Sequence, residues 1–219
     1  RDDTLTRLIV GPAKARTSWP VMTGIVTDLD DPEGMGRVTV KFPWLDPDLS
    51  SHWARVIGTG AGAGRGTYWL PEVNDEVLIG FEQGDMSRPV VIGGLWNGED
   101  EPPLDSGTAI SNGEVVQRTL ATRVGHRITF SEENPAFVRI ETAGGQFILL
   151  HDDDGKIDIE TSGGAVLSLD DNGNKIRLSG GGNIEIEGDL NVTLKSGANM
   201  DIEASGNLTL KGATIQLNP

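Results

Sequence analysis

Along its last hundred residues the chain alternates apolar and polar side chains, and the alternation is itself repeated. Apolar pairs at i and i+2 recur as Ile128/Phe130, Val138/Ile140, Phe147/Leu149, Ile157/Ile159, Leu167/Leu169 and Ile176/Leu178, then as Ile184/Ile186, Val192/Leu194, Met200/Ile202 and Leu208/Leu210. Side chains two apart share a face of a strand and not of a helix, so the whole stretch is predicted to be β. The pairs lie 9 or 10 residues apart as far as Ile176 and then 8 apart for the last four steps. From Ile176 to Leu210 every even position is apolar or small, with Gly180, Gly182, Gly188, Ser196, Ala198, Ala204 and Gly206 between the pairs. Odd positions such as Arg177, Glu185, Glu187, Asp189, Lys195, Asp201 and Glu203 are charged. An internal repeat this regular predicts a β-solenoid or β-helix.

An eight-residue step poses a problem for a single chain. Each step offers about two to four inward side chains, whereas a one-chain solenoid winds about twenty residues per turn. Three chains winding together reach that number at each level, bury the apolar stripe on a common axis and give every strand edge a neighbour. The pattern therefore predicts an all-β chain with an intertwined triple-stranded β-helix, and hence a homotrimer, over 123–219; a single-chain solenoid with short rungs is the alternative. The axis is expected to be lined by Ile157, Ile159, Leu167, Leu169, Ile176, Leu178, Ile184, Ile186, Val192, Leu194, Met200, Ile202, Leu208 and Leu210. A one-residue slip would turn the whole stripe to solvent. So specified, the rod is expected to act mechanically and not as a catalyst.

Upstream the pattern changes to short β segments divided by turn residues. Gly24–Thr27, Arg37–Phe42, Trp53–Ile57, a segment marked by Val73, Val77, Ile79 and Phe81, and Pro89–Gly93 make five strands within 21–98, the size of a small closed barrel such as an OB-fold. Residues 1–20 are mixed, with one short strand expected around Leu5, Leu8, Ile9 and Val10 before Gly11-Pro12. Residues 99–122 read as a linker with one possible strand at Val115-Val116.

Composition narrows the chemistry. The 219 residues carry 18 Lys and Arg against 33 Asp and Glu, a net charge of -15, which argues against nucleic acid as a partner. The absence of Cys removes disulfides, a thiol nucleophile and Cys-ligated zinc, and three histidines (His52, His126, His151) leave little material for a metal or acid–base centre. No cofactor is expected. No apolar run has the length of a membrane span and no signal-peptide pattern opens the chain. From Val124 onward there are 15 acidic and 7 basic residues, a surface suited to solubility and to restraining edge-to-edge association.

Four clusters invite sharper readings. Asp28, Asp30, Asp31 and Glu33 share one loop, but an EF-hand counted from Asp28 would place Pro32 at position 5 and Glu33 at position 6, so a solvated hairpin loop is expected. Gly58–Gly66 is glycine-rich but is followed by Tyr68-Trp69-Leu70-Pro71, without the Gly-Lys-Ser/Thr or the helix that a phosphate loop needs; a flexible barrel loop is expected. His151-Asp152-Asp153-Asp154-Gly155 reads as a polar turn, with no Gly-x-Ser-x-Gly elbow to supply a nucleophile. Trp19, Trp44, Trp53, Trp69 and Trp96 all precede the repeat and are expected in the barrel core or in packing between subunits.

The barrel segment also carries a resemblance. Gly24–Thr27, Asp30-Asp31-Pro32-Glu33-Gly34, Gly36-Arg37-Val38, Phe42-Pro43-Trp44, Trp53–Val56, Asp75-Glu76-Val77, Phe81–Asp85, Arg88–Gly93 and Trp96-Asn97-Gly98 resemble the OB domain of contractile-tail spikes. That family covers phage baseplate spikes (gpV-like), type VI secretion VgrG proteins and the spikes of extracellular injection systems. Gly125–Phe130 and Gly144-Gly145-Gln146 stand where such spikes enter the β-helix. The resemblance implies a non-enzymatic trimeric spike in a phage-tail-like particle, seated on baseplate hub proteins, meeting the target envelope mechanically and bearing a PAAR-type tip protein on Ile215, Gln216, Leu217, Asn218 and Pro219. No His follows His151, so the iron-binding His-x-His apex of some phage spikes is not expected, and the linker is too short for the lysozyme domain that others insert. Residues 1–20 correspond either to the end of a hub region or to a spike that uses a separate hub. A trimeric tail fibre that binds or cleaves surface glycans is the alternative function.

Overall fold

The computed structural model describes residues 21–217. The strand expected around Leu5–Val10, Trp19, and the last two tip positions, Asn218 and Pro219, lie outside them. The chain divides into two compact units, the first ending at Thr119 and the second starting at Leu120.

The first unit is built on a sheet of six strands: β1 (Met22–Asp28), β2 (Thr39–Phe42), β3 (Asp46–Ser50), β4 (Arg55–Val56), β7 (Glu76–Phe81) and β8 (Pro89–Gly94), in the order β3-β2-β1-β7-β8-β4. All neighbours are antiparallel except β4 and β8. Val38, just before β2, and Ala54, just before β4, exchange both backbone hydrogen bonds, at 2.9 and 2.7 Å, and so join β2 to β4. The bridge closes β2, β1, β7, β8 and β4 into a barrel with the OB strand order, with β3 flanking β2. Alternate side chains of each strand point inward: Met22 and Val26, Val38, Val40 and Phe42, Val77 and Ile79, and Val91 form the buried core with Ala54. Gly24 belongs to the same inner face, where a Cβ would lie 3.0 Å from the Lys41 carbonyl oxygen and 3.4 Å from the Phe42 ring. The sequence reading missed β3, whose Asp-Pro-Asp-Leu-Ser stretch has no alternation, and it extended the seventh strand back to Val73, which is exposed.

The acidic loop after β1 is organised around an ion pair. Both oxygens of Asp31 are occupied: Arg37 donates through Nε at 3.0 Å and Nη2 at 2.6 Å, and the backbone N–H groups of Glu33, Met35 and Arg37 donate at 2.9–3.3 Å. The Asp31 side chain is 2% exposed. The Arg37 hydrogen bonds hold its carboxyl far below the usual carboxylate range, with the backbone donors assisting and burial opposing. Because the folded-state pKa is depressed, the stabilisation is full above the unfolded value of about 3.9 and drains away as pH falls below it. Asp31→Asn is therefore expected to lower the barrel's melting temperature by several degrees at pH 7. It should also flatten the loss of stability expected of the parent below about pH 4; thermal melts at about pH 7 and below about pH 4 check both effects, and equal acid sensitivity would refute the account.

Gly58–Gly66 folds into an ordered hairpin, β5 (Ala61–Gly62) against β6 (Arg65–Gly66), with the Thr59 and Thr67 hydroxyls 2.8 Å apart at its base. Gly66 has φ +133°, and a Cβ there would lie 2.0 Å from the Gly60 carbonyl oxygen, which only glycine avoids. Within 99–122, Asp105 caps one helical turn, α1 (Ser106–Ala109), and a small hairpin follows, β9 (Ile110–Ser111) with β10 (Glu114–Val115), beside buried Val116.

The second sheet is an antiparallel meander of seven strands in sequence order: β11 (Gln117–Ala121), β12 (Arg127–Ser131), β13 (Phe137–Glu141), β14 (Phe147–His151), β15 (Lys156–Glu160), β16 (Val166–Asp170) and β17 (Lys175–Ser179). Five-residue strands joined by four- or five-residue turns account for the 9- and 10-residue spacing. Thr122, Thr142 and Thr161 each open a turn on the same edge. In each turn the Thr N–H donates to the carbonyl four residues on, the N–H of that fourth residue returns a bond to the Thr Oγ1, and a glycine of positive φ (Gly125, Gly145, Gly164) sits between. After Ser179 the described residues 180–217 contain no strand.

Candidate functional site

The registers of β12 to β17 place twelve apolar side chains on one face in two unbroken cross-strand rows. One row runs Ile128, Ile140, Ile148, Ile159, Leu167, Leu178; the other runs Phe130, Val138, Leu150, Ile157, Leu169, Ile176. The rows correct the sequence pairing in β14. Ile148 and Leu150 share the face with the other pairs, and Phe147 and Leu149 lie on the opposite side, where the Arg139 guanidinium sits 4.2 Å from the Phe147 ring centroid. Cross-strand β-branched and Leu pairs of this kind stabilise a sheet, but the face they form is left open: none of the twelve is buried.

This apolar face is more open than the polar one behind it. Ile176 is 76% exposed, whereas Ser168 on the other side is 8% exposed. Monomeric proteins rarely leave a contiguous apolar patch of this extent in water. The axis residues expected from the sequence thus fall into two groups. Ile157, Ile159, Leu167, Leu169, Ile176 and Leu178 belong to the open face, and Ile184, Ile186, Val192, Leu194, Met200, Ile202, Leu208 and Leu210 lie in the strandless segment beyond it. Every residue from Gly180 to Leu217 is exposed, including Ile215, Gln216 and Leu217. This segment has neither strand partners nor burial of its own, although its alternation is the strictest in the chain.

The polar face holds the remaining candidate chemistry. Asp158 accepts from Lys156 Nζ at 2.8 Å and lies 3.3 Å from His151 Nε2. Burial acts against its charge, yet the hydrogen bonds from Lys156 and Ser168 outweigh it and hold the carboxyl below the usual range; the same contact raises Lys156. Asp158 stands between Ser168 and His151, so the imidazole is not placed to take a proton from the serine and the set is not a Ser-His-Asp triad. Asp152–Gly155 forms the turn joining β14 to β15, in which Asp153 accepts from the Ala136 N–H at 2.9 Å. Among the described residues no group of three or more His, Asp or Glu is placed to hold a metal ion.

Of the two places expected for the tryptophans, the barrel core and packing between subunits, the first does not hold for the four that are described. Trp44, Trp69 and Trp96 are exposed and Trp53 is half-buried, so none of these four belongs to the barrel core. Trp44 lies on the outside of the barrel, donating from Nε1 to the Thr23 carbonyl at 3.1 Å. The interior is formed instead by Val and Ile side chains with Met22, Phe42 and Ala54.

Residues 22–96, the closed barrel, match the family of the type VI secretion system/phage-baseplate injector OB domain. The barrel is similar to that injector OB domain. The chain is also similar to the type VI secretion system spike protein VgrG1b of Pseudomonas aeruginosa, 32% identical over 102 residues, which cover 45% of this chain and 13% of that protein. VgrG1a of the same organism is 32% identical over 102 residues, 45% of this chain and 15% of the relative. VgrG3 of Vibrio cholerae is 30% identical over 98 residues, 42% and 10% respectively. The matches thus span less than a sixth of each of these spike proteins.

Proposed function

We propose that this chain is the non-enzymatic, homotrimeric central spike of a contractile injection particle, with a barrel collar over 21–98 and a shaft over 123–219. The observation that carries the reading is an injector OB domain joined in one chain to an open apolar face and an octad segment without partners. The face and the segment each demand burial that a single copy does not supply. Two further copies would cover the face, and each apolar side chain so buried contributes roughly 1.5–3 kcal/mol. Three copies of an octad also approach the residues per level that an enclosed β-helix needs, where two fall short. The mechanism is stiffness: contraction of a surrounding sheath would drive the shaft into a target envelope, with hub proteins at its base. A PAAR-type tip would seat where Ile215 and Leu217 extend the alternation, alongside Gln216, Asn218 and Pro219. The spike would be housed in a phage-tail-like particle.

Light scattering tests the reading. The expected solution mass is three times the chain mass of 23.3 kDa, unchanged by mild heating. A monomer at micromolar concentration would overturn it.

A further inference from the structure

Resting on the trimeric reading, we propose that the shaft assembles directionally: the β12–β17 meander associates first and sets the register, and residues 180–217 then close onto one another from Gly180 outward. The two parts ask different things of a second copy. Within the meander every adjacent strand pair from β12 to β17 is made by the chain itself, with five residue pairs each. Its turns are bonded to one another too, Gln146 Nε2 to Ser162 Oγ at 3.0 Å and Asn172 Nδ2 to the Asp154 carbonyl at 2.8 Å. Another copy needs to add only apolar contact to a surface already formed. The segment 180–217 lacks both strand pairing and burial in one chain, so nothing offsets the conformational entropy of ordering it until two others lie alongside.

Register sharpens the distinction. Ile184/Ile186, Val192/Leu194, Met200/Ile202 and Leu208/Leu210 follow one another at a period of 8. A copy displaced by eight residues, or by any even number, still presents apolar side chains to the axis, so the octads specify their own alignment weakly. The meander does not share this degeneracy. Its spacing changes between 9 and 10, its rows differ in composition from strand to strand, with Phe130 at one end and Ile176 at the other, and its hairpins fix every strand's position. Gly180-Gly181-Gly182 follows β17 at once, so alignment of three meanders brings three octad segments level at their first residue.

The test uses the full chain, with light scattering for mass and hydrogen exchange for local protection. Ile202→Asp is expected to remain trimeric and to keep protection in the meander and the first octads, while losing it from about Met200 outward. Ile148→Asp is expected to be monomeric, with 180–217 unprotected throughout and the barrel's exchange unchanged. Ile148→Thr keeps the β-branched shape; it is expected to dissociate at a higher concentration than the parent, with protection of 180–217 disappearing over the same range. The proposal falls if Ile202→Asp is monomeric, or if either Ile148 variant retains a protected 180–217 segment at concentrations where its meanders are apart. A monomeric parent would instead overturn the trimeric reading itself.

Discussion

Replacing Ile186 by Asp is expected to abolish resistance of the shaft to SDS and heat while the native mass stays that of three chains. In the proposed trimer the three Ile186 side chains meet at one level of the axis, next to Ile184. Removing three buried Ile side chains forfeits about 5–9 kcal/mol of apolar burial, taking roughly 1.5–3 kcal/mol for each. Three carboxylates brought together in that position would pay a desolvation penalty with no partner, and would repel one another. The distal segment has no intrachain strand pairing to fall back on, so the defect spreads outward to the end. Gel electrophoresis without boiling reads the result directly. A variant band as SDS-resistant as the parent's would show that Ile186 does not face the axis.

The second large effect belongs to the barrel. Phe42 is 1% exposed, borders Gly24 and meets Phe81 with ring centroids 6.2 Å apart. Phe42→Ala leaves a cavity bounded by closed-barrel strands that have little freedom to collapse, and is expected to cost about 3–5 kcal/mol. All five tryptophans precede residue 97, so their fluorescence carries no signal from side chains beyond it, and Trp44, Trp53, Trp69 and Trp96 report the barrel. The urea transition followed by fluorescence should therefore move to markedly lower concentration while SDS resistance is kept. An unmoved midpoint would mean that the ring is not a core element.

These expectations rest on features unequally legible in the sequence. The barrel's inner face could be read from Val38, Val40 and Phe42 because Arg37, Thr39 and Lys41 alternate with them. In β14 the run Phe-Ile-Leu-Leu has no polar interruption, so alternation alone did not say which pair faces which side; Ile140 opposite Ile148 and Ile148 opposite Ile159 decide it. The step from 9–10 to 8 residues was visible, but its meaning was not. The longer spacing leaves room for a four- or five-residue turn and hence for hairpins within one chain. The octads, by contrast, stay unpaired within the chain. The Thr-opened turns escaped notice because their signature is one hydroxyl and one glycine three residues apart, too sparse to stand out among 30 glycines. Bulk alone did not divide the tryptophans between the barrel core and packing between subunits; exposure removes Trp44, Trp69 and Trp96 from the core.

The recurrence of those turns has a consequence for how such a sheet changes width. Thr122, Thr142 and Thr161 recur at 20 and 19 residues, each interval comprising two strands and both kinds of turn. A unit of that size inserted or deleted whole returns the chain to the same edge, travelling in the same direction, with its apolar residues still on the open face. A deletion of only one strand would deliver everything downstream to the wrong edge. The sheet can therefore be widened by duplication in steps of two strands, about 10 Å at the usual strand spacing, without redesign of the strands on either side.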